Sequence, residues 1–183
     1  NKDKAIIFKS ENGYKKTLTW KDLNKNVIQI SNWMKFNGIK KGDRVAAYTP
    51  NIPEVVTAYI SSASLGAIWS SCSPDFGTEA VIDRFSQIKP KILFIGDKYF
   101  YNGKEINILK RLKEILKKIP KKKKIIIIPY PGTKIKENTL TKRNIFNWNK
   151  LFVDTNKNKI NHKMLNFNDP LAILYSSGTT GKP

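Results

Sequence analysis

Apolar residues along this chain fall alternately into short continuous runs and into helical three- and four-residue steps, so strands and helices are predicted to take turns. Ala5-Ile6-Ile7-Phe8 and Thr17-Leu18-Thr19 read as short strands joined through a turn at Asn12-Gly13. Trp20, Leu23, Val27, Ile30 and Met34 mark one face of a helix. Thr19, followed by Asp22, supplies its N-cap, and Gly38 its stop. A strand is predicted over 44–49. Pro53 suits the first position of a helix running to about Leu65, because an N–H there would lack an intrahelical partner anyway. Ala67-Ile68-Trp69-Ser70 reads as a buried strand and 78–88 as a helix. Lys91-Ile92-Leu93-Phe94-Ile95 has the unbroken apolar character of a parallel strand and is closed by Gly96-Asp97.

Beyond it, Tyr99-Phe100-Tyr101-Asn102-Gly103-Lys104 is read as leading into a helix with Ile108, Leu112, Ile115, Leu116 and Ile119 on one face. Ile125-Ile126-Ile127-Ile128 is a buried strand stopped by Pro129. Residues 130–168 are polar and rich in Asn and Lys, which predicts loops around a short helix near 144–150. Leu171-Ala172-Ile173-Leu174-Tyr175 is a last strand, feeding a loop over 176–183. No internal repeat is visible. The alternation predicts an α/β fold, a mostly parallel sheet flanked by helices.

Composition narrows the classes. At 183 residues and 40% hydrophobic, the chain can bury a sizeable core, which excludes wholesale disorder. Cys72 and His162 are its only cysteine and histidine, which excludes a disulfide framework and a Cys/His zinc site within the chain. No apolar run approaches the roughly 20 residues a membrane span needs, and the start does not resemble a signal peptide. A soluble, cytoplasmic protein without a membrane partner is expected. The chain begins without Met and stops at Pro183 inside a glycine-rich loop, so a fragment of a longer protein is expected.

Lys and Arg number 34 against 14 Asp and Glu, a net charge of +20. Only Arg44, Arg84, Arg111 and Arg143 are arginine; the densest basic stretch, 104–124, ends in Lys121-Lys122-Lys123-Lys124. Base-edge readout and bidentate phosphate clamps favour Arg, and no nucleic-acid module is present. Drift towards A/T-rich codons with a solvated surface, and no specific nucleic-acid partner, is one reading. A basic polyanion-binding module is the other.

The chemistry concentrates at the end. Tyr175-Ser176-Ser177-Gly178-Thr179-Thr180-Gly181-Lys182-Pro183 places two glycines, four hydroxyls besides that of Tyr175, and a cation after an apolar strand. Glycines let successive N–H groups turn inward as an anion nest; hydroxyls add donors, and Lys balances phosphate charge. The loop differs from a Walker A sequence, because only two residues separate Gly178 and Gly181, and Pro183 stands where Ser or Thr would follow Lys.

These nine residues resemble the phosphate-binding signature of the adenylate-forming superfamily of acyl-CoA synthetases, luciferases and adenylation domains. Lys41-Gly42-Asp43-Arg44-Val45, then Thr49-Pro50-Asn51 and Pro53-Glu54, resemble its "GDRV…PN.PE" opening. The segment from Ala63 through Trp69-Ser70-Ser71-Cys72-Ser73-Pro74-Asp75-Phe76-Gly77, with Asp83-Arg84-Phe85 and Tyr101-Asn102-Gly103-Lys104, closely resembles the acetoacetate-activating branch. Acetate- and propionate-activating relatives usually carry a different segment there, and a ligase for such an acid is the milder alternative. The resemblance spans about Ala5 to Pro183 and thins between Lys121 and Asn168.

The resemblance implies that residues 1–183 are part of a large N-terminal adenylate-forming domain ending in the phosphate loop 175–183, with the C-terminal domain absent. It implies a ligase using ATP, Mg²⁺ and CoA, in which acetoacetate is joined to CoA through an acyl-adenylate with release of AMP and pyrophosphate. Ser176, Ser177, Gly178, Thr179, Thr180, Gly181 and Lys182 are the implied grip on the β- and γ-phosphates. An Arg-x-Gly-Arg segment that holds the CoA 3′-phosphate in acetate-activating relatives maps onto Tyr101, Asn102, Gly103 and Lys104, with Tyr101 departing from the first Arg. For Lys104, a phosphate contact at a helix start and a solvent-facing side chain both stand. The main catalytic residues and the adenine, ribose and metal contacts are expected beyond Pro183, so the fragment alone is expected to be inactive. Cys72 is read as a buried thiol, His162 as exposed, Asp83 and Arg84 as helix surface, and Trp69 as core with a pocket role left open.

Overall fold

Thr19 both closes a strand and opens a helix. Its hydroxyl accepts from the Asp22 N–H at 3.1 Å, and the Asp22 carboxylate accepts from the Thr19 N–H at 3.0 Å, a reciprocal capping box. The helix it starts, α1 (Trp20–Phe36), buries Leu23, Val27, Ile30 and Met34, the predicted face. Ahead of it, β1 (Lys4–Lys9) and β2 (Lys15–Thr19) pair antiparallel about the predicted Asn12-Gly13 turn. The computed structural model describes residues 3–119, 123–134, 144–152 and 162–176.

From Arg44 onward strands and helices alternate. They are β3 (Arg44–Tyr48), α2 (Pro53–Ser64), β4 (Ile68–Cys72), α3 (Thr78–Ile88) and β5 (Ile92–Gly96). Next come β6 (Lys98–Tyr101), β7 (Lys104–Asn107), α4 (Leu109–Lys118), β8 (Lys124–Ile128) and β9 (Ile145–Asn147). Five strands form one parallel sheet in the order β4-β3-β5-β8-β9. Successive residues of its strands point to opposite faces. Val45, Ala47, Phe94 and Ile126 meet the α1 and α2 side, while Ala46, Tyr48, Leu93, Ile95 and Ile127 meet α3 and α4. Burial on both faces accounts for the unbroken apolar runs, and every residue of β5 is buried.

Three elements differ from the sequence reading. Residues 98–107 form a β-hairpin instead of leading straight into a helix. Asn102 (φ 50°) and Gly103 (φ 72°) both take left-handed backbone, the geometry of a two-residue hairpin turn. The expected short helix near 144–150 is instead β9 followed by a single 3-10 turn, Trp148–Lys150, because pairing of Ile145 and Phe146 with Ile125 and Ile126 overrides local propensity. The expected strand over 171–175 is reduced to one parallel bridge between Ala172 and Trp69 at the edge of the sheet.

The sheet's two ends have different characters. Where β3 and β4 begin, Asp43 accepts from the Lys40 N–H at 2.9 Å and pairs with Lys91 Nζ at 2.8 Å. Arg44 donates to the carbonyls of Ile88 (2.8 Å) and Gly42 (3.2 Å). The Gly42-Asp43-Arg44 signature is therefore architectural. Open parallel sheets bind ligands beyond the opposite, carboxyl ends of their strands. The strand order reverses between β3 and β5, and the crevice there is filled: a Cβ on Gly96 would lie 2.8 Å from Pro50 Cδ and 3.3 Å from Ile108 Cδ1. Gly96→Ala is expected to lower stability by about 1–3 kcal/mol through overpacking. A urea titration checks this: the midpoint should fall with unchanged slope, and an unmoved midpoint would mean that Pro50 gives way.

Candidate functional site

At the carboxyl ends of β3 and β4, polar groups converge on the loop 73–77. Tyr48, fully buried at the end of β3, has its hydroxyl 2.9 Å from the Phe76 carbonyl and 3.2 Å from that of Pro74. Arg111 on α4 donates through Nη1 to the Tyr48 hydroxyl and to the Pro74 carbonyl, both at 2.9 Å. Asp75 accepts from Ser73 Oγ at 2.7 Å and from the Tyr99 hydroxyl at 3.2 Å. Burial, with the Asp75 charge adding to it, holds the Tyr99 phenol above its ordinary pKa, so it stays a donor. One loop is thus tied to β3, α4 and β6.

The chain after Asp169 then arrives at the same edge. Leu171 O accepts from Trp69 N–H at 3.0 Å, Ile173 N–H donates to Trp69 O at 2.8 Å, and Ser70 Oγ donates to Ile173 O at 3.0 Å. The bridge is parallel, so residues 171–175 run in the direction of β4 and emerge at its carboxyl end. There the Tyr175 hydroxyl donates to the main-chain oxygen of Arg84 at 2.7 Å. The Arg84 guanidinium lies 4.5 Å from the Phe76 ring centre and 5.5 Å from that of Tyr175. Burial pushes the Tyr175 phenol up, which keeps its proton in place for that bond.

Of the expected phosphate grip, Ser176 follows Tyr175 and is exposed at this edge. Ser177, Gly178, Thr179, Thr180, Gly181 and Lys182 lie outside the described residues. Tyr101, Asn102, Gly103 and Lys104 are all exposed at the tip of the β6–β7 hairpin. They do not open a helix, because α4 begins only at Leu109. The Gly103 N–H points to Glu11 Oε2 at 3.4 Å, so a helix-terminus argument for anion binding at Lys104 falls away.

Several other expectations resolve. Trp69 is a core residue, 6% exposed, against Tyr59 and Phe94. His162 is exposed. Cys72 is buried, and burial pushes its thiol up to about 11. The run ending at Lys124 is not simply a solvated face. Lys123 is buried with its ammonium on the Ile119 carbonyl at 3.0 Å, and Lys124 Nζ sits 5.6 Å over the Phe146 ring. Asp83 and Arg84, read as helix surface, are half-buried, with Arg84 set against Phe76 and Tyr175, and Arg111 was not read as a site residue. The signal of the two arginines was their type: in a chain so dominated by Lys, the described arginines Arg44, Arg84 and Arg111 each use a planar, multi-donor head in a way an ammonium cannot copy.

A cavity of about 270 Å³ lies elsewhere, between β2, the first turn of α2 and the 3-10 turn. Its Glu54 pairs through Oε1 with Lys16 at 2.8 Å and ties the first hairpin to α2. Among the described residues no three His, Cys, Asp or Glu gather as metal ligands, and no helix is long and apolar enough to cross a membrane.

A parallel α/β sheet with residues 171–176 arriving at its carboxyl edge is the described frame, and a family model described as "AMP-binding enzyme" matches residues 1–183: the chain belongs to that family. It is 38% identical over 186 residues to the acetoacetyl-CoA synthetase of Macaca fascicularis, covering 99% of this chain and 28% of that protein. It is 40% identical over 194 residues to that of Xenopus tropicalis, again covering 99% and 28%. The solved acetoacetyl-CoA synthetase from Streptomyces lividans matches with a TM-score of 0.87 at 35% identity, over 98% of this chain and 27% of that one. The chain thus spans little more than a quarter of the length of these relatives.

The raised thiol pKa makes Cys72 unreactive at neutral pH, since the thiolate is the nucleophile. Iodoacetamide near pH 8 is expected to label it slowly in the folded protein and rapidly in urea. Equal rates in the two states would contradict the buried placement.

Proposed function

We infer that the protein carrying this chain is an ATP-dependent acid–CoA ligase acting on acetoacetate. The observation that carries this reading is the parallel course of 171–175 beside β4, which brings Ser176 to the sheet's carboxyl edge, in a chain 38–40% identical to acetoacetyl-CoA synthetases. In the first step the acid's carboxylate attacks the α-phosphorus of ATP, and pyrophosphate leaves with the bonding pair. In the second, the CoA thiol adds to the acyl carbon of the adenylate, loses its proton, and AMP departs.

The need of the first step is charge stabilisation. Negative charge builds on the β- and γ-phosphates as the bond to the α-phosphorus breaks, and fixed N–H and O–H donors offset it without proton transfer. Ser176, Ser177, Gly178, Thr179, Thr180 and Gly181 supply donors of that kind, and Lys182 a cation. The substrate is the magnesium complex of ATP, whose cation would offset part of the same charge. The main catalytic residues are assigned beyond Pro183.

For CoA, the proposal keeps Tyr101, Asn102, Gly103 and Lys104 as a contact to the 3′-phosphate. Its support is now the exposed cation at a hairpin tip that leaves and rejoins the sheet's carboxyl edge at Asp97 and Ile108, which are joined by an N–H···O bond of 2.9 Å. The polyanion-module reading loses ground, because Lys123 and Lys124 are engaged within the fold.

The test uses the complete gene product with acetoacetate, magnesium ATP and CoA, following AMP release. Turnover is expected to require the acid and to fall about 10–1000-fold in Thr179→Val/Thr180→Val, as for other losses of oxyanion donors. Turnover that ignores those hydroxyls, or AMP release without any response to acetoacetate, would overturn the reading. Lys104→Gln is expected to raise the KM for CoA severalfold while leaving that for ATP unchanged. An unchanged KM for CoA would remove the hairpin from the site.

A further inference from the structure

The proposed phosphate grip is built on a loop, and a loop holds charge in place only if its entry is held first. The described residues show how that entry is held. Ile173 is fixed to β4 by main-chain bonds, but Leu174 is 86% exposed and Ser176 is free of the sheet. Between them stands Tyr175, half-buried against the core on the α3–α4 side, with its hydroxyl on the Arg84 carbonyl and the Arg84 guanidinium 5.5 Å from its ring centre. The same guanidinium stacks more closely on Phe76, while its Nη1 is spent on the Ala80 carbonyl at 3.0 Å. Phe76 in turn belongs to the loop that Tyr48 and Arg111 fasten to β3 and α4.

We propose that Arg84, set against both Phe76 and Tyr175, is a positioning residue that fixes the direction in which the chain enters the glycine-rich loop and locks that direction to the loop 73–77. This rests on the assignment of 176–182 to the ATP phosphates. A guanidinium suits the role because it is flat, always charged and weakly hydrated, so it covers an aromatic face while its edge still donates. An ammonium keeps the charge and loses the two-sided plane. The Tyr175 hydroxyl adds a directional bond from that ring, which cation–π contact and apolar packing do not supply.

Two variants of the complete gene product test this, each assayed for ATP affinity by calorimetry with magnesium ATP alone, for the three KM values, and for melting temperature. Arg84→Lys is expected to weaken ATP binding about 5–30-fold, the loss of one or two aromatic cation contacts. Tyr175→Phe keeps the ring and loses only the directional bond; about a 3–10-fold weakening is expected. In both, KM for acetoacetate and CoA and the melting temperature should stay near wild type. A purely structural role would instead lower the melting temperature and shift all three KM values together. If Arg84→Lys does not fold, Tyr175→Phe decides alone, because it removes one oxygen.

Unchanged ATP affinity in folded Tyr175→Phe and Arg84→Lys overturns the proposal while leaving the ligase reading intact. Wild-type protein that binds ATP but ignores acetoacetate overturns the acid assignment and leaves Arg84 to be judged by calorimetry. Wild-type protein that binds no ATP overturns both.

Discussion

Parallel strands can share a sheet only if the chain returns along a face between each pair, so both faces are covered and all strands finish at one edge. That constraint governs this molecule. The α1–α2 layer and the α3–α4 layer bury β5 completely, and the loops that follow β3, β4 and β5 must emerge side by side. Chemistry has a place to collect because the packing has no other arrangement. At the opposite edge Asp43, Lys91 and Arg44 are bonded into turns that start the strands in register.

Within that edge the obvious crevice, where strand order reverses, is closed by Pro50 packed on Gly96. Organisation shifts towards β4 and the segment beside it. The loop 73–77 is tied by Tyr48, Arg111 and Tyr99, and the incoming Tyr175 is tied to Arg84, which also holds Phe76. These are side chains that hold main chain. The reacting groups of the proposed function are mostly main-chain N–H donors and short hydroxyls, whose usefulness depends on such holding.

Much of the fold was legible where a local signal and a tertiary demand coincide. Thr19 with Asp22 announces α1, Pro53 announces α2, and the run from Ile92 to Ile95 announces a strand buried on both sides. Legibility failed where the two diverge. Asn102-Gly103 is as good a hairpin turn as Asn12-Gly13, but the polar strand Lys104–Asn107 has Ile106 as its single β-former and precedes a strongly periodic helix, so the helix claimed it. Residues Ile145–Asn147 become a strand only because β8 offers an unpaired edge. At the candidate site, spacing points to the loop 176–182, since glycines and hydroxyls declare themselves by order, and of it only Ser176 is among the described residues. Arg84 and Arg111 stay silent in that order, because their partners Tyr175 and Tyr48 are distant in sequence and meet them only after the sheet forms.

The proposed function requires nucleotide to bind at the carboxyl edge beside β4, where residues 171–175 bring Ser176. Amide hydrogen exchange of the complete gene product, with and without magnesium ATP, tests it most directly. Slowed exchange is expected at 171–180 and at 73–77, with no change at 40–44 on the opposite edge. Protection confined to 40–44, or absent from 171–180 at saturating ATP, would contradict it.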